Sequence, residues 1–129
     1  MIKFLFSRIR SFGHAFGGWW YVVRTQRNAW IHVVITVVVF ALSFWLGLGP
    51  REWAIIILTT AMVFVAEFFN TAIEALVDLA SPQQHPLAKT SKDVGAGAVL
   101  ITALAAALIG VLILGPPLWA RLSALVAAR

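Results

Sequence analysis

The sequence predicts an all-α integral membrane protein, with three transmembrane helices behind an N-terminal amphipathic helix in the interface. Three observations predict it. Hydrophobic residues make up 61% of the 129 positions and charged residues only 12%. Three apolar runs, 31–48, 53–80 and 94–115, are each long enough at 1.5 Å per residue to cross a hydrocarbon core of about 30 Å. The basic residues are unevenly placed: Lys3, Arg8, Arg10, Arg24 and Arg27 precede the first run, and Lys89 and Lys92 lie between the second and third. Only Arg51, Arg121 and Arg129 fall on the other side. This asymmetry reads as positive-inside, with a cytoplasmic N-terminus. The net charge of +5 therefore orients the chain on an anionic membrane and is not a nucleic-acid footprint. The absence of cysteine excludes disulfides, thiolate metal sites and cysteine nucleophiles. No cleavable signal peptide is expected, because the opening mixes basic and aromatic residues without an apolar core and small-residue cleavage site.

Within the first 30 residues, Ile9, Phe12, Phe16, Trp19 and Val23 recur at three- and four-residue steps, the apolar face of a helix. Trp19, Trp20 and Tyr21 suit a headgroup-level anchor. Gly17-Gly18 marks either a break or a place where another helix approaches closely. The first span, 31–48, carries no charge, and His32 stands at its cytoplasmic mouth. Leu48-Gly49-Pro50 ends it in a turn.

The second span carries the unusual chemistry. Glu67, Asn70, Glu74 and Asp78 follow one another at offsets of three, four and four residues. At about 100° per residue they fall within roughly 80° on one helical face. A carboxylate near the bilayer centre costs about 2.5–3.5 kcal/mol on the insertion scale. Glu74 and Asp78 also repel mildly as like charges at i, i+4. No Lys or Arg lies beside them in the run, so a cation from elsewhere is expected, either a metal ion or a lysine of a neighbouring segment. Glu67 lies about 21 Å and Asp78 about 37 Å along a straight helix from Trp53. The stripe therefore begins in the cytoplasmic leaflet and ends in water, a placement suited to a lipid headgroup.

Residues 81–93 form a polar, proline-containing loop, in which His85 is expected to have no ligand role. Thr90 or Ser91 is the expected cap of the third helix, with Lys92 and Asp93 at its start. The third span is rich in small residues, among them Gly95, Gly97, Ala103, Ala106, Ala107 and Gly110, which let helices approach closely in lipid. Gly95-Ala96-Gly97 lacks the preceding strand and the spacing of a dinucleotide-binding loop, and no P-loop sequence occurs. After Gly115-Pro116-Pro117, residues 116–129 are expected to form a separate amphipathic helix in the outer leaflet.

The pattern E-x-x-N-[ST]-A-I-E-x-x-x-D over Glu67–Asp78, followed by Lys92-Asp93 and a small-residue helix, resembles the small bacterial integral-membrane lipid kinases. These include diacylglycerol kinase and undecaprenol kinase. Residues 24–32 add weaker agreement, and Ser81-Pro82 with His85-Pro86-Leu87-Ala88-Lys89 looks more like the undecaprenol kinase branch. The resemblance covers roughly residues 10–115, a kinase domain that leaves the tail aside.

The resemblance implies a homotrimer in the bacterial inner membrane, using ATP and Mg²⁺ to phosphorylate a lipid alcohol at the cytoplasmic face. Glu67 matches the catalytic base and Glu74 a metal-binding carboxylate. Asn70, Asp78, Lys92 and Asp93 match further active-site or nucleotide-contacting positions. Gln26 stands where relatives often carry a metal-site glutamate, and Thr90-Ser91 where they commonly carry an arginine. Phosphoryl transfer needs positioning and charge compensation, which this residue set supplies. A non-enzymatic role in ion coupling or assembly is the alternative. It predicts polar residues deeper in spans one and three, where only Thr36, Ser43 and Thr102 occur.

Overall fold

A computed structural model describes residues 2–127 except Pro82 and Gln84, with side chains from Arg10 onward. Lys3, Arg8 and Arg129 of the charge asymmetry, and Ile9 of the apolar face, lie outside the described side chains. The chain forms four helices: α1 (Ile2–Thr25), α2 (Arg27–Leu46), α3 (Pro50–Ala80) and α4 (Pro86–Ala127). The last three are long and apolar enough to cross a membrane, and α1 is the additional N-terminal helix. The hairpin of α3 and α4 is the main packing unit, with α2 laid more lightly on both and α1 touching α2 and α3.

Helix α1 runs unbroken through Gly17-Gly18, so the expected break there does not occur. A Cβ at either glycine would meet nothing within 4 Å, so no described helix approaches closely. The apolar face divides by environment. Val22 and Val23 are buried against the bundle, whereas Phe12, Phe16, Trp19, Trp20 and Tyr21 are exposed and free to enter an interface. The helix stops at Thr25 because Gln26 is extended (φ −101°, ψ 116°), while its N–H still bonds the Val22 carbonyl at 2.9 Å. Residues 27–30, expected in the interfacial segment, instead open the first span.

Helix α2 ends where Gly47 adopts φ +70°, a conformation that favours glycine. The N–H groups of Gly47 and Leu48 then bond the Phe44 and Ser43 carbonyls, closing the end in the Schellman manner. Pro50 opens α3, where its missing N–H leaves no bond unmade, and Glu52 in the first turn complements the helix dipole. At 31 residues α3 is about 46 Å long and overshoots the hydrocarbon.

Two expectations about α4 are corrected. The helix begins at Pro86, not near 94, and His85 caps it, its Nδ1 accepting the Leu87 N–H at 3.2 Å. Thr90 and Ser91 lie inside the helix, and their hydroxyls bond back to the Pro86 and Leu87 carbonyls at 3.0 and 2.9 Å. At the other end, α4 passes through Pro116-Pro117 to Ala127, so 116–127 is no separate helix. The prolines offer no N–H to the Leu112 and Ile113 carbonyls, a loss that membrane helices tolerate. Beyond them, the Arg121 guanidinium lies 5.0 Å over the Trp45 ring and donates to the Trp45 carbonyl. The stretch of α4 beyond the prolines is thereby tied to the end of α2.

The core is small, and much apolar surface faces outward, with Phe44 and Leu79 each 82% exposed. Of the small residues in α4, Gly95 marks a close approach, since a Cβ there would stand 2.5 Å from the Asn70 Oδ1. Gly97 and Gly110 have open space around them. The unusual burial is polar: Ser43, Glu67, Asn70 and Thr71 are all inside.

Candidate functional site

The acid stripe of α3 meets different partners at each level. Glu67 is 1% exposed, and its Oε2 accepts no hydrogen bond. At ion-pair distance stands His32 of α2, whose Nε2 lies 4.0 Å away and is also buried without a hydrogen bond. Phe64 stacks edge-on against the His32 ring at 6.4 Å, and Phe68 against Phe64 at 6.5 Å. The Thr71 hydroxyl is occupied by the Glu67 backbone carbonyl at 2.8 Å and leaves the carboxylate alone.

Two turns along, Glu74 receives an amide on each oxygen. Asn70 Nδ2 donates to Oε1 at 3.0 Å, and Gln26 Nε2 donates to Oε2 at 3.3 Å. The second bond explains why the Gln26 side chain does not cap α2. The extended backbone at the α1–α2 junction directs it across to α3 instead. A cavity of about 260 Å³ brings together Gln26, Asn28, His32, Glu67, Asn70 and Glu74, with Ala96, Val99 and Ala103 of α4 as part of its wall.

Asp78 is answered by the expected lysine, with Lys92 Nζ 2.5 Å from its Oδ1. Asp93 pairs instead with Lys89, one turn back on α4. Both ion pairs are substantially exposed, so each contributes little to stability. Asp78 and Lys92 line a wider cavity of about 720 Å³ at the α3–α4 connection, together with His85 and Lys89. Asp93 lines neither cavity. The structure thus gathers Gln26, Glu67, Asn70 and Glu74 around one cavity and sets Asp78 and Lys92 around another.

A third opening is apolar. A groove of about 440 Å³ runs between α2, α3 and α4 from His32 to Leu118, floored by Ala103, Ala106, Ala107 and Gly110. His32 and Ala103 line both this groove and the acid cavity.

The donors around Glu74 suit a hard cation. The Glu74 carboxylate is one oxygen ligand, and the Gln26 amide offers a second once it turns its oxygen, in place of its N–H, toward Glu74; the Asn70 Oδ1 faces Gly95 instead. No three His, Cys, Asp or Glu residues gather into a metal cage among the described residues. Mg²⁺ does not need one, since it binds through one or two carboxylates together with water and substrate phosphates. The residues present fit such an ion.

Residues 13–114 match the family described as prokaryotic diacylglycerol kinase. The chain belongs to the prokaryotic diacylglycerol kinase family. It is similar to the undecaprenol kinase of Bacillus subtilis, with 43% identity over 109 residues, covering 84% of this chain and 89% of that protein. The diacylglycerol kinase of Synechocystis is also 43% identical over 109 residues, covering 84% of this chain and 62% of that longer protein. The Escherichia coli K12 diacylglycerol kinase is 30% identical over 105 residues, covering 78% of this chain and 84% of the relative. Equal identity to two differently named relatives places the chain in the diacylglycerol kinase family, not in one branch of it. Membership makes it a membrane protein of the lipid-kinase family and points to a kinase-type enzyme.

Against the sequence expectations, His32 and Asn28 are additions to the site. A lone histidine at the end of an apolar run carries no pattern of its own. Only the packing of α2 on α3 sets it opposite Glu67.

Proposed function

We propose that this chain transfers the γ-phosphoryl group of ATP to the hydroxyl of a membrane lipid alcohol at the cytoplasmic face. The product is undecaprenyl phosphate or phosphatidic acid, and the 81–89 loop pattern favours undecaprenol. The observation that carries the reading is Glu67, buried with one carboxylate oxygen unbonded, in a cavity shared with Glu74. A carboxylate so placed takes the alcohol proton as the oxygen attacks phosphorus. Glu74 and Gln26 are the residues assigned to Mg²⁺, with Asn70 orienting the Glu74 carboxylate. When bound, the ion neutralises phosphate charge. Lys92, Asp78 and Asp93 are assigned to the nucleotide. The Lys92 ammonium turns from Asp78 to the phosphates, where a positive charge stabilises the transferring group.

Residues 1–115 constitute the kinase unit, and 116–129 extend it on the extracytoplasmic side. The basic residues Arg10, Arg24, Arg27, Lys89 and Lys92 support a cytoplasmic N-terminus and site in the bacterial inner membrane. The broad apolar surface around so small a core supports assembly, as a homotrimer by family resemblance.

The test is phosphate transfer from Mg·ATP in reconstituted vesicles, with undecaprenol and diacylglycerol offered separately. Transfer to one or both is expected, and Glu67→Gln should reduce it by about a hundredfold or more, the scale of a lost general base. Folded protein that transfers to neither lipid would favour ion coupling or assembly.

A further inference from the structure

The geometry at the junction of the two cavities points to His32 as a second residue that binds the substrate hydroxyl: we infer that its Nε2–H holds the lipid alcohol oxygen against Glu67. This rests on the lipid-kinase reading. His32 Nε2 and Glu67 Oε2 are 4.0 Å apart, too far for a hydrogen bond to each other, and both are buried without partners. Two buried polar atoms left unmade at one place cost stability unless something comes between them. An oxygen about 2.8 Å from each closes a triangle on that base with an angle near 90°, ordinary hydrogen-bond geometry. That oxygen stands about 2 Å to the side of the line joining the two atoms, toward the cavity that both residues line.

The position also says which hydroxyl. His32 belongs to the wall of the apolar groove and of the acid cavity at once. A molecule with a long apolar tail in the groove therefore presents its polar end between His32 and Glu67. Phe64, edge-on to the imidazole, limits its swing.

A hydroxyl has one proton and two lone pairs, and the arrangement uses all three. The O–H donates to Glu67 Oε2, one lone pair accepts from His32 Nε2–H, and the other faces the γ-phosphorus. As the O–P bond forms, the proton passes to Glu67 and the bond from phosphorus to the ADP oxygen breaks. His32 ends the step in the protonation state in which it began.

The experiment compares His32→Leu, which removes the donor, with His32→Gln, which keeps an N–H near the Nε2 position. Both are assayed beside the unaltered protein in vesicles holding either lipid alcohol. His32→Leu should lower kcat/KM for the lipid by about tenfold or more, and leave the KM for ATP within about twofold. His32→Gln should recover most of that loss. Unchanged lipid kcat/KM in His32→Leu, an equal loss in His32→Gln, or a parallel rise in the ATP KM would overturn the inference.

Should His32→Leu fail to fold, ¹⁵N NMR of the unaltered protein decides. The Nε2 resonance is expected to move on adding the lipid alcohol and not on adding the corresponding hydrocarbon. No movement overturns the inference. The two readings also fail differently. Transfer by the unaltered protein that is indifferent to His32 sinks this inference alone, whereas no transfer to either lipid sinks both.

Discussion

Three acids on one face of α3 are kept in a membrane protein by three different means. Asp78 has a lysine, Glu74 has two amide N–H groups, and Glu67 has an oxygen left open beside an imidazole. A cation from another segment is thus present at one level only, and neutral donors do the work at the middle one. Gln26→Glu tests this arrangement, because it replaces an amide donor with a second carboxylate facing Glu74. Without Mg²⁺ the like charges repel, so Tm should fall by a few degrees in chelator. With Mg²⁺ the fall should be recovered, and the concentration for half-maximal activity should drop. No change in either measurement would remove Gln26 from the metal site. The acids are legible in the sequence because ionised groups in an apolar run are too costly to be incidental. His32 is not, because a single imidazole near the end of a span satisfies many environments equally well.

At the scale of elements, the well-packed α3–α4 hairpin contains one especially close approach. Gly95 lets α4 approach Asn70, and a methyl group there would fall 2.5 Å from the amide oxygen. Gly95→Ala should therefore destabilise by about 1–3 kcal/mol through overpacking and displace the Asn70 amide from Glu74. In an Asn70→Ala background the same change should cost much less, a coupling that thermal unfolding of the four proteins would measure. Equal cost in both backgrounds would mean that the Asn70 amide is not what Gly95 accommodates.

The three spans are legible from their length and apolarity, since little else explains such runs. The ends of α4 are not. Pro86 at the first helical position, capped by His85, begins the helix earlier than Thr90 and Ser91 suggest, and their hydroxyls bond back within it. Gly115-Pro116-Pro117 reads as a stop by local propensity. A tertiary contact, Arg121 on Trp45, instead accompanies a helix that runs on.

For the whole molecule, orientation is open to direct measurement because the chain contains no cysteine. Single cysteines at Gln83 and Leu48 sit in the two connections at opposite ends of the spans. In intact cells an impermeant thiol reagent should label Leu48→Cys and spare Gln83→Cys, and the reverse pattern would place the site outside. Helix α4 gives this topology a further property. Near one end Lys92 meets Asp78, and near the other Arg121 meets Trp45. Those two positions are about 44 Å apart along an unbroken helix, well beyond the roughly 30 Å of hydrocarbon. An unbroken helix of that length cannot shorten when the bilayer thins, so the mismatch passes into tilt or into the surrounding lipid. The protein is in this sense a calliper: membrane thickness sets the tilt that the helices adopt.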